Sequence, residues 1–241
     1  MLRASLLVLT VALLGSVAVV GEGFSAQTPP RPRAATVAGR HLARVRPPVK
    51  AQRTVKPHTG VEVIRPRVTF IGDSVADAVS YVTPAQTLLA RGVRLQLELA
   101  ECRRLVEASC SVAGVQPETA LSVIESLGHN LGPVVVIAVG YNDYELLYPH
   151  DMQRVLAALH AAGVQHVLWL TLRAVHASYV PMNDDIRALA RTNPCLTVVD
   201  WNRYSRSHSA WFASDGLHLS PEGAAAMARL LHKTLLTLTV T

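Results

Sequence analysis

From residue 67 onward, short apolar runs rich in β-branched residues alternate with longer segments whose apolar residues recur at helical spacing. This alternation is typical of a parallel sheet that is covered by helices on both faces. The predicted fold class is therefore α/β. The pattern predicts strands at 67–71, 94–99, 132–138, 166–172 and 196–200, and helices near 74–91 with a break at Pro84, then near 117–128, 151–163, 183–192 and 221–237.

Two of the predicted strands differ clearly in how their apolar residues are arranged. Residues 94–99 alternate apolar and polar side chains, which indicates a strand with one face less covered. Residues 132–138 are almost continuously apolar, which is typical of a strand buried on both faces. We therefore expect the second strand at an edge of the sheet and the third at its centre.

The N-terminus has the pattern of an export signal. An apolar run from Ala4 to Val20 follows a charged start and leads into small residues that end at Ala26. The run is nearly long enough to span a bilayer, and Phe24 disrupts the small-residue cleavage site. Residues 1–26 are therefore expected to be a cleaved signal peptide or a retained membrane anchor, and the protein is expected outside the cell or in its envelope.

The basic charge of the chain is concentrated in one segment. Residues 27–66 are rich in Pro and Arg, which predicts a disordered linker before a folded domain at 67–241. Residues 28–67 carry ten Arg and Lys but one acid, Glu62, whereas residues 68–241 carry twelve basic and fifteen acidic side chains. The formal net charge of +6 thus belongs to the linker, and the domain is slightly acidic.

This linker suggests one kind of partner and argues against another. A basic disordered arm can bind an anionic cell-wall polymer or membrane surface, although a merely solvated spacer is an equally good interpretation. Nucleic acid is not an expected partner, because export removes the chain from it and the domain shows no basic face. We expect a monomer.

The first stretch with candidate chemistry is Gly72-Asp73-Ser74, which closes the first predicted strand. A serine at the carboxyl end of a parallel strand and at a helix N-terminus stands where α/β proteins bind ligands. Ser74 is therefore a candidate nucleophile. The alternative is that Ser74 is only the N-cap of the helix.

The second stretch, Gly140-Tyr141-Asn142-Asp143, closes the third predicted strand. Because both strand ends open into one crevice, the amide of Asn142 can point toward a group that Ser74 attacks and stabilise a developing oxyanion. An ordinary Asn-Asp turn is the alternative. Tyr141, Tyr144 and Tyr148 crowd this loop and either stack on a sugar ring or pack against helices.

The third stretch, Asp215-Gly216-Leu217-His218, precedes the last helix, whose start is marked by Ser220-Pro221. An acid three residues before a histidine can orient one ring nitrogen while the other faces a serine, as in a catalytic triad. Trp211 lies just before this stretch and is a candidate for substrate contact.

The chain has three cysteines. Cys102 and Cys110 flank a short loop and are predicted to form a disulfide in an exported protein. Cys195 is expected to be a buried free thiol, because nothing near it in the sequence suggests a general base. No spacing of Cys and His predicts a metal site.

The three stretches together resemble the nucleophile, oxyanion and acid–base blocks of the SGNH (GDSL-type) hydrolase superfamily, in the family's order. The resemblance implies a flavodoxin-like three-layer α/β/α sandwich with a five-stranded parallel sheet. It implies Ser74 as nucleophile, His218 as base and Asp215 as the acid that orients it. It also implies an oxyanion hole formed by the Ser74 backbone N–H and Asn142, and no cofactor.

One block departs from the family pattern, since no glycine follows the second strand to complete the oxyanion hole. Residues 100–104 instead resemble exported SGNH domains related to those of membrane acyltransferases. Arg103 or Arg104 is then a candidate for contact with an anionic or sugar substrate. Alternatively, both arginines are solvated or pair with Glu101 and Glu107.

The resemblance implies an exported serine esterase that acts through an acyl-enzyme on O-acyl esters, in particular O-acetyl esters, of a carbohydrate or cell-wall glycan. Arg103, Tyr141 and Trp211 are the expected substrate contacts. The alternatives are an O-acyltransferase to glycan, a lipid esterase, and a non-catalytic module that binds the cell wall.

Overall fold

The computed structural model describes residues 65–238. The expected signal or anchor at 1–26 lies outside these residues, as does the linker at 27–66 except for its last two positions. Within the described range, no helix combines the length and the apolar character that a membrane crossing requires.

Five strands form one parallel sheet, in the order β2-β1-β3-β4-β5. The strands are β1 (Arg67–Gly72), β2 (Arg94–Leu99), β3 (Val134–Ala138), β4 (His166–Leu170) and β5 (Leu196–Val199). The predicted five-stranded parallel sheet is confirmed, with β2 at an edge and β3 in the middle. The strand order reverses between β1 and β3, and ligands of such sheets bind beyond the carboxyl ends of the strands at this point.

Within residues 65–238, seven α-helices and two short 3₁₀ helices (Gly128–Leu131 and Ser209–Trp211) connect and cover the strands. The α-helices are α1 (Ser74–Tyr81), α2 (Thr83–Leu89), α3 (Ala120–Leu127), α4 (Tyr148–Ala161), α5 (Tyr179–Thr192), α6 (Trp201–Ser205) and α7 (Pro221–Leu235). The predicted break in the first helical segment occurs at Val82, because Pro84 lies in the first turn of α2, where a missing N–H has no cost. The sequence pattern did not predict α6.

The hydrophobic core has two parts, one on each face of the sheet. On one face, side chains such as Phe70 and Val136 pack against α1, α2 and α7. On the other face, Ile71 and Ile137 pack against α3, α4 and α5. Neighbouring strand residues therefore contribute to opposite layers, as the period of two in a strand requires. The result is the predicted three-layer α/β/α sandwich.

Candidate active site

Asp73 fixes the position of Ser74 at the start of α1. Its Oδ1 accepts the Val75 N–H (3.1 Å), so Asp73, not Ser74, is the N-cap of the helix. Its Oδ2 accepts the N–H groups of Gly140 and Tyr141, each at 3.1 Å. Burial raises the pKa of Asp73 to about 6, against the opposing effect of these three N–H donors. Asp73 thus ties the end of β1 to the loop after β3.

Ser74, His218 and Asp215 form a continuous hydrogen-bonded chain. His218 Nε2 lies 3.1 Å from Ser74 Oγ, and His218 Nδ1 lies 2.6 Å from Asp215 Oδ2. Asp215 Oδ1 also accepts the N–H groups of Leu217 and His218, at 2.9 and 3.0 Å. The hydrogen bond from His218, followed by that from the Leu217 N–H, lowers the pKa of Asp215 to about 2. The acid is therefore ionised and holds the imidazole with its other nitrogen toward the serine.

The loop that carries Asp215 and His218 is closed by backbone hydrogen bonds. The Ala213 N–H donates to the His218 carbonyl at 2.8 Å, and the Ser220 N–H donates to the Trp211 carbonyl at 2.9 Å. Ser220 is also the N-cap of α7, as its sequence context predicted. The position of the histidine is thus set by the start of the last helix.

Arg173, which follows β4, supports the same loop and was not identified from the sequence. Its Nε donates to the Gly216 carbonyl at 2.9 Å, and its Nη1 donates to the Ser205 carbonyl at 2.8 Å. Its guanidinium carbon lies 3.8 Å from the centre of the Phe212 ring. The only signal in the sequence was its place just beyond the end of an apolar strand, at the edge of the sheet that carries the site.

Asn142 lies at the same crevice. Its Nδ2 donates to the Arg103 carbonyl at 3.2 Å, which leaves a second amide hydrogen for a ligand. The neighbouring Asp143 accepts the Leu105 N–H at 2.9 Å, and burial raises the pKa of Asp143 to about 7. The role of Asn142 as an oxyanion donor remains a prediction that this placement allows.

The candidate nucleophile, the base and the amide open into a single cavity of about 400 Å³. Its lining mixes polar and aromatic side chains, and no aliphatic side chain among residues 65–238 lines it. The lining residues are Ser74, Asp77, Tyr81, Glu101, Cys102, Asn142 and His218.

The three expected substrate contacts, Arg103, Tyr141 and Trp211, do not line this cavity. Arg103 is buried, and its guanidinium donates to the carbonyls of Glu98 and Glu118. Burial lowers the pKa of this arginine. The side chain therefore supports the loop after β2, and the predictions of substrate contact, of solvation and of pairing with acidic neighbours are all wrong for it.

The two aromatic candidates are also engaged in packing. The Tyr141 hydroxyl accepts the Arg173 N–H at 2.6 Å, and its ring meets that of Tyr179 edge-on at 5.2 Å. The Trp211 ring stacks on His208 with 3.8 Å between centroids. Tyr148 is fully buried and donates its hydroxyl to the Val139 carbonyl. The rings of Tyr141 and Trp211 thus contact neighbouring side chains, and substrate contact by either ring stays a prediction.

Arg104 and Tyr144 stand closer to the surface. The Arg104 guanidinium donates to the Asn142 carbonyl and lies 4.2 Å above the centre of the Tyr144 ring. Neither residue lines the cavity. Arg104 therefore acts on the site through the backbone of Asn142.

The cysteines are arranged as follows. Cys102 and Cys110 form a disulfide, with 5.4 Å between their Cα atoms. Cys195 is free but only half-buried, and its Sγ lies 2.9 Å from Nε2 of His160. A histidine therefore does contact this thiol, at the end of the sheet opposite Ser74, which corrects the expectation of a buried thiol with no base nearby.

Among residues 65–238, no group of three or more Cys, His, Asp and Glu could hold a metal ion.

Comparison with known proteins gives a limited match in sequence. No family model matches the chain. The Bacillus subtilis (strain 168) protein "Putative peptidoglycan O-acetyltransferase YrhL" is 25% identical over 97 residues, which cover 40% of this chain and 14% of that protein. This chain therefore spans a small part of the curated relative that it matches.

Solved structures match over most of the described chain. The C-terminal catalytic domain of peptidoglycan O-acetyltransferase A from Streptococcus pneumoniae has a TM-score of 0.55 and 24% identity, covering 72% of this chain and 94% of that domain. A carbohydrate acetylesterase family member from Sinorhizobium meliloti has a TM-score of 0.53 and 16% identity, covering 70% of this chain and 97% of that chain. TesA has a TM-score of 0.53 and 18% identity, covering 72% of this chain and 98% of that chain.

These likenesses show that the chain has the SGNH hydrolase fold, so the fold implied by the sequence resemblance is confirmed. Ser74, His218 and Asp215 are hydrogen-bonded to one another at the crevice of this fold.

Proposed function

We propose that this protein is a serine esterase that removes O-acyl groups, above all O-acetyl groups, from a carbohydrate or cell-wall glycan. The observation that carries the proposal is the hydrogen-bonded chain from Ser74 through His218 to Asp215 at an open, polar cavity. A serine hydroxyl gains nucleophilicity when a neutral imidazole can take its proton and an ionised acid supports the resulting imidazolium. The geometry supplies both.

The reaction follows from these contacts. His218 Nε2 takes the proton of Ser74 Oγ as the oxygen attacks the ester carbonyl, and the carbonyl oxygen becomes an oxyanion. The Ser74 backbone N–H and the free hydrogen of Asn142 Nδ2 are the donors that we assign to it. Collapse of the tetrahedral intermediate releases the alcohol, which takes a proton from His218, and leaves the acyl group on Ser74. Water, activated by the same imidazole, then hydrolyses the acyl-enzyme.

The cavity favours a short acyl group. Burying a long alkyl chain requires an apolar channel, and the lining residues within 65–238 include no aliphatic side chain but two carboxylates, Asp77 and Glu101. Neither carboxylate forms an ion pair within residues 65–238. They favour a neutral, hydroxyl-rich substrate over an anionic lipid ester. This argues against the lipid esterase.

A second candidate function is acyl transfer to a glycan hydroxyl. The side chains of His218 and Asp215 are 47% and 48% exposed, so an acceptor other than water can reach an acyl group on Ser74. The similarity in sequence and fold to proteins named as peptidoglycan O-acetyltransferases supports this candidate. Hydrolysis and transfer share the acyl-enzyme and differ only in the hydroxyl that resolves it.

We also propose that the protein acts outside the cytoplasm or in the cell envelope. The apolar run at 4–20 supports export, and a substrate in the cell wall would require it. The basic linker at 27–66 would then bind anionic wall polymers or membrane surfaces.

The test is labelling with a fluorophosphonate, combined with turnover of a small acetyl ester. The parent protein should be labelled at Ser74, and Ser74→Ala should lose both labelling and turnover. Ser80→Ala is the matched control, because Ser80 lies exposed on the same helix and its hydroxyl bonds only to Asp77. Equal turnover in parent and Ser74→Ala would refute the esterase, and rapid loss of the ester only when a glycan acceptor is added would favour the transferase.

A further inference from the structure

The turn that follows β2 holds Cys102 in a backbone conformation that is unusual for its residue type. Its φ is +62°, and among residues 65–238 only one other non-glycine residue, Ala113, has a positive φ. A β-carbon is crowded in this left-handed region, which glycine alone enters freely. Something in the fold must therefore hold Cys102 there.

Two features can hold it: the Arg103 N–H donates to the Ala100 carbonyl at 3.4 Å and closes the turn around Cys102, and the disulfide adds a covalent constraint. Cys102 is bonded to Cys110, and the loop between them closes over eight residues of sequence separation. The turn is also fastened to the end of β1, because the Ala100 N–H donates to the Gly72 carbonyl at 3.1 Å. The crosslink thus limits the rotation of a residue whose neighbours are already fixed.

The backbone N–H of Cys102 has no protein acceptor among residues 65–238, and the same is true of the Ser74 N–H. Both residues line the 400 Å³ cavity, with Asn142. A turn that contains a left-handed residue is a backbone geometry that presents N–H groups to an anion. Cys102 therefore combines a place in the cavity lining with a backbone N–H that no group among residues 65–238 accepts, in addition to the two donors already assigned to the oxyanion.

The turn is also bonded directly to the loop that carries Asn142. Asn142 Nδ2 donates to the Arg103 carbonyl, and Arg104 Nε donates to the Asn142 carbonyl. The Leu105 N–H donates to Asp143 Oδ1. A change in the turn after β2 would therefore move the amide of Asn142 as well.

We propose that the backbone N–H of Cys102 is a third oxyanion donor, beside the Ser74 N–H and the Asn142 amide, and that the Cys102–Cys110 disulfide holds it in place. This inference rests on the proposed esterase function. The disulfide then has a catalytic consequence besides its contribution to stability. Activity should depend on its oxidation state.

The test uses two double variants that lack the same crosslink. Cys102→Ala/Cys110→Ala should lower kcat for a small acetyl ester by about tenfold to a hundredfold, with KM within about twofold, as expected for a lost oxyanion donor. Cys102→Gly/Cys110→Ala should regain most of that loss, because glycine adopts the left-handed conformation without a crosslink. Because glycine at a positive φ is also the less strained residue, the free energy of unfolding is measured for both pairs. A disulfide that served stability alone would make the glycine pair more stable without raising the kcat of the folded protein.

Two results would overturn the inference. The first is that the alanine pair has the same kcat as the parent. The second is that the glycine pair is no more active than the alanine pair, although circular dichroism shows that both are folded. If the variants fail to fold, the parent is titrated with dithiothreitol instead. Turnover should then fall by the same factor while the circular dichroism spectrum is unchanged. Unchanged turnover with free thiols at residues 102 and 110 would reject the inference. A parent whose turnover does not exceed that of Ser74→Ala would instead reject the proposed function.

Discussion

At the scale of single residues, two buried carboxylates stand behind the candidate site. Asp73 accepts three backbone N–H groups, whereas Asp143 accepts one, and its Oδ2 has no partner among the described residues. Burial raises the pKa of both, to about 6 and about 7. The better-satisfied carboxylate thus has the smaller shift. Of the two carboxylates, Asp143 has fewer hydrogen bonds to offset the burial of its charge.

The raised pKa values of both carboxylates predict how the stability of the protein depends on pH. The folded pKa values exceed the ordinary value of 3.8, so between about pH 4 and 7 the folded protein holds protons that the unfolded chain has released. The free energy of unfolding should therefore fall as the pH rises through this window. In Asp143→Asn the fall should be smaller, and at pH 8 the variant should be more stable than the parent by on the order of 2 kcal/mol.

Urea unfolding at several pH values between 4 and 8 checks this prediction. Asp184→Asn is the control, because Asp184 lies at the surface beside Arg187 and its replacement should leave the slope unchanged. Parallel pH curves for the parent and Asp143→Asn would contradict it.

Functional residues could be identified from the sequence where local spacing determines which way their side chains point. Ser74 follows a strand end, and Asp215 lies three positions before His218, so local spacing was enough to identify them as candidates. Arg103 was misjudged because a basic residue in a polar turn has the same sequence context whether its guanidinium meets solvent or backbone carbonyls. The role of Asp73 was overlooked because two of its three hydrogen-bond partners, Gly140 and Tyr141, come from the loop after β3.

At the scale of elements, the interiors of strands and helices could be predicted better than their ends. β3 begins at Val134 and not at residue 132, because Gly132 has a φ of +82° and Pro133 has no N–H for a ladder. The helix predicted at 151–163 begins at Tyr148, since Pro149 is tolerated in its first turn. Such ends are set by a few backbone angles and by caps, which apolar periodicity does not report.

The contact between Arg173 and the acid–base loop gives a prediction at this scale. Arg173→Met keeps an apolar stem against Phe212 but removes the donors to the carbonyls of Gly216 and Ser205. The turn that holds Asp215 and His218 should loosen. We expect kcat to fall by on the order of tenfold to a hundredfold, with a smaller change in KM, since small displacements of a catalytic group are costly.

Steady-state kinetics on a small acetyl ester, with a thermal unfolding curve for each variant, would measure this effect. Arg206→Met is the matched control, as Arg206 is exposed and no hydrogen bond of its guanidinium appears within the described chain. If both variants keep the parental kcat, Arg173 has no role in positioning the loop.

At the scale of the whole molecule, the separation of charge along the chain predicts two separable functions. Deleting residues 27–66 removes nine basic residues and one acid, which changes the formal net charge from +6 to −2, and should leave turnover of a soluble acetyl ester unchanged. Retention on anionic wall or membrane fractions should weaken, and for the parent it should decrease as salt is added. Co-sedimentation at low and high salt, beside the esterase assay, measures both.

These two measurements also separate the enzyme from the wall-binding module. A deletion that abolishes wall association, in a protein whose parent never exceeds the turnover of Ser74→Ala, would favour the binding module. A deletion that keeps wall association intact at low salt would show that the linker is only a spacer.

The layer architecture could be predicted from the sequence, whereas the strand order needed more. Alternation of strands and helices gives a parallel sheet, and the apolar content of residues 94–99 and 132–138 separates edge from centre. Periodicity does not tell on which side of β1 the chain places β3. The resemblance of three short blocks to a known family implied a flavodoxin-like sandwich with the ends of β1 and β3 at one crevice, and the structure shows the full order.

The serine and the histidine that share a hydrogen bond are 144 positions apart in the chain. The histidine reaches its place through a loop that is closed by the start of α7, and α7 in turn packs on α1 and α2. During folding, Ser74 therefore has no base until the last helix has docked, however early the sheet forms. The rate at which esterase activity recovers after dilution from denaturant would then measure the rate at which α7 docks.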